Sequence, residues 1–329
     1  MSRPVAVVLN DTSTRYHHGC ARVMRLLVAG LEGAGLTVGL RVPARAKWEH
    51  DLAVLAAMRA AQVIVINGEG TFHDGAEGAD RLLSAVDAAP GVPVALVNAL
   101  WERNPAAWAD RVGRLALIAA RDSRSAGELG EVTGQVVRWL PDLSLSAPAG
   151  VAAGVRSGLI VGDSVRLDKR RALARAAQRL GALSLPTKTL QGRVWGFSPA
   201  RALLWRGYNG VWTGALPRFE MAGDEATYLR RIAAAEGHVT GRFHAVCLSM
   251  LTETPFLALG STTSKVQTLL TDAGLGQDRL ISEDDLAGLT VADAVRPFSA
   301  AELDSIRAFK EGASEKAGRL FADIRGLVA

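Results

Sequence analysis

Short, unbroken apolar runs, each followed by a longer amphipathic stretch, recur along this chain, and this alternation constrains its fold more than any other feature. Val63-Ile-Val-Ile66 is a clear case. A run apolar on every side must be covered on both faces, as a strand inside a parallel sheet is, and the amphipathic stretch after it supplies the covering helix. The first half predicts strands over residues 5–9, 38–42, 63–66, 92–97 and 115–119, with a weaker one over 136–139. Helical patterns fall between them at 21–31, 52–60, 79–88 and 123–129. The Pro-, Ala- and Gly-containing stretch 144–154 has the composition of a linker. The rhythm then restarts: strand 158–161, helix 169–180, strand 183–185, helix 224–235, strand 238–240, helix 243–251, strand 256–259, helix 264–273. A long helix over 300–324 closes the chain, and the Trp-, Gly- and Arg-rich stretch 191–216 has no clear periodicity. The expectation is an α/β protein with two Rossmann-like parallel-sheet domains, 1–146 and 155–298, facing a central cleft, followed by a C-terminal helix over 299–329.

The chain's 329 residues suffice for about two domains. With 49% hydrophobic and 22% charged residues, disorder is excluded. Two cysteines, Cys20 and Cys247, exclude a disulfide scaffold and fit a reducing cytosol. No apolar run approaches the roughly 18 residues that a membrane span needs. The net charge of +5 comes from 32 arginines and six lysines spread along the chain, without aromatic–basic interleaving. That pattern suits a basic cleft for anions better than nucleic acid, which is not expected as a partner.

Candidate chemistry lies just after strand ends. The loop from Asn10 to Gly19 is polar, carries His17 and His18, and ends on a glycine that opens a helix, a geometry able to present N–H groups to an anion. It lacks G-x-G-x-x-G, which disfavours a dinucleotide site. Asn67-Gly-Glu-Gly-Thr-Phe-His-Asp74 places Glu69, His73 and Asp74 in one loop, a carboxylate–imidazole–carboxylate set suited to proton transfer. Asp74 reads equally well as a helix cap; Asp122 and Ser123 read as caps of the next helix first, while Arg121 beside them could serve as an anion clamp. In the segment from His238 to Lys265, Arg242 and His244 stand at one expected helix start, and Ser261, Thr262, Ser264 and Lys265 at the next. Both helix starts favour negative charge. His17, His18, His73 and Asp74 have no spacing diagnostic of a metal, and none is expected.

Gly241-Arg-Phe-His-Ala-Val246 with Pro255 and Lys265 downstream, the Gly-rich loop at Asn67–Gly70 and Arg121-Asp-Ser-Arg-Ser125 together resemble the polysaccharide pyruvyl transferase family. The resemblance implies a GT-B-like architecture and transfer of a pyruvyl group from phosphoenolpyruvate, as co-substrate, to a sugar of a bacterial surface polysaccharide or its precursor, forming a ketal. It implies that Arg242, His244 and Lys265 hold the donor, with His244 as the acid. Glu69 or Asp74 as the base is an inference from the residues themselves. Two positions depart from the family pattern: Asn67-Gly-Glu-Gly70 replaces a run of glycines, and Tyr16-His-His18 stands in the first loop.

These departures keep open a GT-B glycosyltransferase using a nucleotide-sugar donor, in which residues 261–265 hold the phosphates and Glu69 is base or nucleophile. A non-catalytic glycan- or nucleotide-binding protein on the same fold is the third reading. No cofactor is expected beyond the co-substrate. The expected partners are a small-molecule donor and a glycan or lipid-linked glycan, the latter met at the inner face of the membrane; oligomeric state is not readable from the sequence.

Overall fold

The computed structural model of the chain describes residues 3–151, 154–188, 203–204, 207, 210–211, 213–260 and 263–328. It divides into two compact units. The first comprises Met1–Thr14, Val23–Ala147 and Lys310–Ala329; the second comprises Arg15–Arg22 and Pro148–Phe309.

In the first unit, strands β1 (Val5–Asp11), β2 (Thr37–Pro43), β3 (Val63–His73), β4 (Val94–Glu102), β5 (Leu117–Ala120) and β6 (Arg138–Trp139) form a parallel sheet. Its order is β2-β1-β3-β4-β5-β6. Alternate residues go to opposite faces: Val7, Leu9, Ile64 and Ile66 join one apolar cluster, Ala6, Val8, Val63 and Val65 the other. This double burial is why the strands read as unbroken apolar runs. Part of the second face is covered by Ala317, Leu320, Phe321 and Ile324 of the last helix, Ala300–Gly326. That helix is thus not a separate appendage: its residues from Lys310 onward complete the first unit's core.

In the second unit, β7 (Leu159–Ser164), β8 (Leu183–Ser184), β9 (Arg218–Phe219), β10 (Gly237–Gly241), β11 (Phe256–Leu259) and β12 (Leu280–Ile281) are also parallel. The order β12-β11-β10-β7-β8-β9 is doubly wound, growing outward in both directions from β7 and β10. Leu159, Val161, Val239, Leu257 and Leu259 form its core with Leu173, Ala176 and Ala177 of the helix Leu167–Arg179. The expected stretch 191–216 falls largely outside the described residues.

Several boundaries depart from the sequence reading, and the departures carry chemistry. β3 does not stop at Ile66 but runs on to His73, so the segment expected as a loop is strand. Glu69 adopts φ +41°, and the register with β4 shifts between Glu69 and Phe72, which lets the strand kink and continue until Phe72 enters the core. β4 extends to Glu102 through a similar kink at Asn98, φ +55°. The first helix begins at His18 (His18–Gly33), so His18, Gly19 and Cys20 form its first turn. The expected helix 79–88 is two pieces, Glu77–Leu83 and Ala85–Ala88.

Candidate functional site

Each doubly wound sheet has a point where the winding reverses, and ligands in such folds bind beyond the strand ends at that point. In the first unit the reversal lies between β1 and β3. The residues there form a buried polar cluster. Asn10 Nδ2 donates to the Asn67 carbonyl at 2.6 Å and to Thr71 Oγ1 at 3.2 Å. The Thr12 hydroxyl and Asn67 Nδ2 (3.0 Å) both donate to Glu69 Oε1. Asn10, Thr12, Asn67 and Glu69 are all nearly inaccessible. Gly68 lets the strand pass beside β4, since a Cβ there would lie 2.6 Å from the Ala99 Cα.

Asn10, Glu69 and Asn98 occupy left-handed backbone conformations within β1, β3 and β4. Asparagine tolerates this conformation; glutamate does so at a cost of about 1–3 kcal/mol, a strain that concentrates at functional sites. Asn98 continues the polar layer, accepting from the Leu143 N–H at 3.0 Å and donating to Asp142 at 3.5 Å.

The set Glu69, His73 and Asp74 expected from the sequence is not brought together as one constellation. Glu69 is buried with Thr12 and Asn67, whereas His73 and Asp74 are accessible and bonded to each other at 2.9 Å. Asp74 also accepts from Arg103 at 2.6 Å, and these partners hold its carboxyl down at about 2, too weak a base for proton abstraction near neutrality. Nor is Asp74 a helix cap: the helix Glu77–Leu83 has Ala76 at that position. Asp122 does cap, accepting the Ser125 N–H at 2.7 Å. Arg121, read as an anion clamp, is a buried cation 3.9 Å from both Asp122 and Asp142.

In the second unit the reversal lies between β7 and β10. Asp163, near the end of β7, accepts from Arg242, which follows β10: Nε and Nη2 reach Oδ2 at 2.9 and 2.6 Å. Asp163 Oδ1 accepts the Thr187 N–H at 2.9 Å. The Thr187 hydroxyl meets the Tyr228 hydroxyl at 2.8 Å, and the His18 ring stacks on Tyr228 with centroids 4.7 Å apart. The Arg242 guanidinium, expected to hold a donor anion, is thus already charge-paired inside the unit.

His244, in the first turn of the helix Phe243–Leu251, faces His17 with ring centroids 5.3 Å apart at 65°. A Cβ on Gly19 would lie 2.2 Å from the His244 Cβ, so only glycine allows the two helix starts to approach so closely. Cys20 is buried in the same turn as Gly19, and its N–H donates to His17 Nδ1 at 3.3 Å. Burial pushes the His17 pKa well below its usual value, and the charges of His244, Arg242, His18 and Lys188 push the same way. Burial also pushes His18 down to about 4, against the pull of Asp224, Glu225 and Asp163. Both rings are therefore neutral at pH 7.

Lys265 is the first residue of the helix Lys265–Asp272, and Ser264 occupies its N-cap position. Ser261 and Thr262 lie outside the described residues. Thr263, between them and the helix, is buried, and its hydroxyl makes no hydrogen bond among the described residues. Thr12, Asn98, Asp163, Thr187 and Tyr228 are not singled out by the sequence, and Cys20 figures there only as a free thiol. Asp163 alone carried a usable signal, a carboxylate at a strand end within Gly162-Asp-Ser164.

No family model and no curated protein sequence matches the chain. Solved structures do. MnaA of S. aureus, solved with UDP, is similar with a TM-score of 0.60 at 11% identity, over 96% of this chain and 94% of that one. An O-GlcNAc transferase variant of Thermobaculum terrenum gives 0.50 at 13%, over 100% of this chain and 69% of the other. A UDP-N-acetylglucosamine 2-epimerase of Rickettsia bellii gives 0.51 at 8%, over 99% and 96%. At such identities the likeness is one of fold, and with two doubly wound parallel sheets the fold of this chain is GT-B-like.

Proposed function

We propose that the chain is a GT-B-type glycosyltransferase that takes a nucleotide-sugar donor and transfers the sugar to a hydroxyl of a glycan or glycan precursor. The observation that carries this reading is Glu69: a buried carboxylate at a winding reversal, in a left-handed conformation, with one oxygen fixed by Thr12 and Asn67. A carboxylate so oriented suits a general base. It takes the proton of the acceptor hydroxyl as that oxygen bonds to the anomeric carbon. The bond from that carbon to the diphosphate breaks, and the nucleoside diphosphate leaves with the electron pair. The start of the helix Lys265–Asp272 is the proposed diphosphate site: its N–H groups, the Thr263 hydroxyl and Lys265 are suited to the charge of the leaving group. The fold likeness to a protein solved with UDP places uridine nucleotides first among the donors to try.

Pyruvyl transfer from phosphoenolpyruvate is the second reading, favoured by one observation: His17, which faces His244, feels the charges of Arg242 and Lys188, two cations suited to a small dianion. A thermal-shift panel of UDP, CMP, GDP, their sugar conjugates and phosphoenolpyruvate separates the two. A ligand at a hundred times its Kd adds about 2.7 kcal/mol of stability. A shift with one nucleotide, lost in Lys265→Ala, supports glycosyl transfer. A shift with phosphoenolpyruvate alone, lost in Arg242→Ala, replaces it with pyruvyl transfer. Glycosyl transfer is rejected by the absence of a shift with every nucleotide and sugar nucleotide.

A further inference from the structure

We propose that His17, Cys20 and His244 form a binding site for a thiophilic divalent transition metal, Zn²⁺ being the natural occupant. One nitrogen of each imidazole and the Cys20 sulfur lie within 4.8 Å of one another, and all three residues are buried. Tetrahedral Zn²⁺ with bonds of about 2.0–2.3 Å holds its ligand atoms roughly 3.3–3.8 Å apart. Closing this set therefore takes shifts of about 1 Å, within reach of side-chain rotation. Two imidazoles and a thiolate are a donor set preferred by zinc over hard cations such as Mg²⁺ or Ca²⁺.

The backbone is built to assemble the three. His17 and Cys20 are three residues apart at the start of the first helix, and metal binding at His17 replaces the hydrogen bond that its Nδ1 accepts from the Cys20 N–H. His244 is brought in from another helix by the close approach that Gly19 permits. Three protein ligands leave a fourth position, as in catalytic rather than structural zinc sites. Arg242 does not oppose the metal with its full charge, since Asp163 pairs it. Arg242 and Lys188 together favour an anionic oxygen as the fourth ligand, and a carboxylate or phosphate group of a bound substrate would supply one. The site lies wholly within the second unit and does not depend on the glycosyl-transfer reading. It does exclude His244 as the proton donor of the second reading, because coordination occupies the ring's lone pair.

The test uses the full chain, stripped of metal by a chelator and titrated with Co²⁺ and, in competition with a chromophoric chelator, with Zn²⁺. One equivalent of Co²⁺ is expected to raise a thiolate-to-metal charge-transfer band in the near ultraviolet. Cys20→Ser abolishes that band and weakens Zn²⁺ binding at least about tenfold, whereas Cys247→Ser leaves both unchanged. Alkylation of the wild-type chain, mapped by mass spectrometry, gives a reading that needs no variant: Zn²⁺ protects Cys20 and not Cys247. A wild-type chain without the band, or one in which Zn²⁺ leaves Cys20 alkylation unchanged, overturns the proposal.

Discussion

Gly19 and His244 meet so closely that the missing side chain of one is the seat of the other: a Cβ on Gly19 would stand 2.2 Å from the Cβ of His244 and 2.4 Å from its Cγ. Because His244 sits at the start of a helix buried along its whole length, it cannot step aside without moving that helix. Gly19→Ala is therefore expected to cost about 1–3 kcal/mol, the usual range for overpacking, read as a lowered urea midpoint. Zn²⁺ binding weakens as well, since the displaced ring is one of the three proposed ligands. A midpoint equal to wild type would show that the two helix starts do not pack as described.

Asp163 and Arg242 form a pair across the winding reversal of the second sheet, each side chain only 11% exposed. Removing one partner strands the other charge, at a cost of about 3–5 kcal/mol, whereas removing both does not. Asp163→Ala and Arg242→Ala are each expected to destabilise strongly, and the double variant to cost clearly less than the sum of the two. Equilibrium unfolding of the four proteins gives the coupling directly. Additive effects would mean that the pair contributes nothing as a pair.

Much of this architecture was legible because parallel strands buried on both faces leave an unmistakable mark: 5–9 and 63–66 announce β1 and β3, and helix Leu52–Ala60 falls where its periodicity puts it. The strand ends were not legible. Asn67-Gly-Glu-Gly70 has loop composition, yet β3 passes through it on a left-handed Glu69, which no propensity favours. Ranking of the site residues suffered for a related reason. His73 and Asp74 looked like chemistry because they are close in sequence, whereas the partners that matter, Thr12 for Glu69 and Asp163 for Arg242, are 57 and 79 positions away. The joining of His17 and Cys20 with His244 is equally a product of tertiary structure, invisible as a spacing motif.

The base assignment separates two carboxylates that the sequence left side by side. Glu69→Gln keeps the shape and hydrogen-bonding reach of the side chain but loses the proton acceptor, so turnover is expected to fall by about 10²–10⁴ with the fold intact. Thr12→Val, which removes a donor that orients Glu69, lowers turnover less. Asp74→Asn leaves turnover near wild type, because that carboxylate is committed to Arg103 and His73 at the surface. The three variants are to be assayed with whichever donor the binding panel identifies. Full activity in Glu69→Gln would remove Glu69 from the chemistry.

Acid is expected to unfold the second unit through three buried imidazoles, His17, His18 and His238. Burial holds both His18 and His238 at about 4, below the usual 6.5. A group whose folded pKa is depressed binds protons more readily in the unfolded chain. Stability is therefore whole above about 6.5 and is lost progressively as pH falls toward about 4. A difference of roughly 2.5 units corresponds to about 3 kcal/mol for each residue. His238 is the cleaner probe, wholly buried, with Nδ1 bonded to Ser249 at 2.8 Å and Nε2 without a hydrogen-bond partner among the described residues. Unfolding midpoints measured from pH 8 to pH 4 should fall steeply below about 6.5 in the wild-type chain. His238→Asn should lower the midpoint at pH 8 yet flatten the slope below about 6.5, since one of the three proton sinks is gone. An unchanged slope would mean that His238 is not neutral in the folded protein, and that the burial around it is looser than the structure has it.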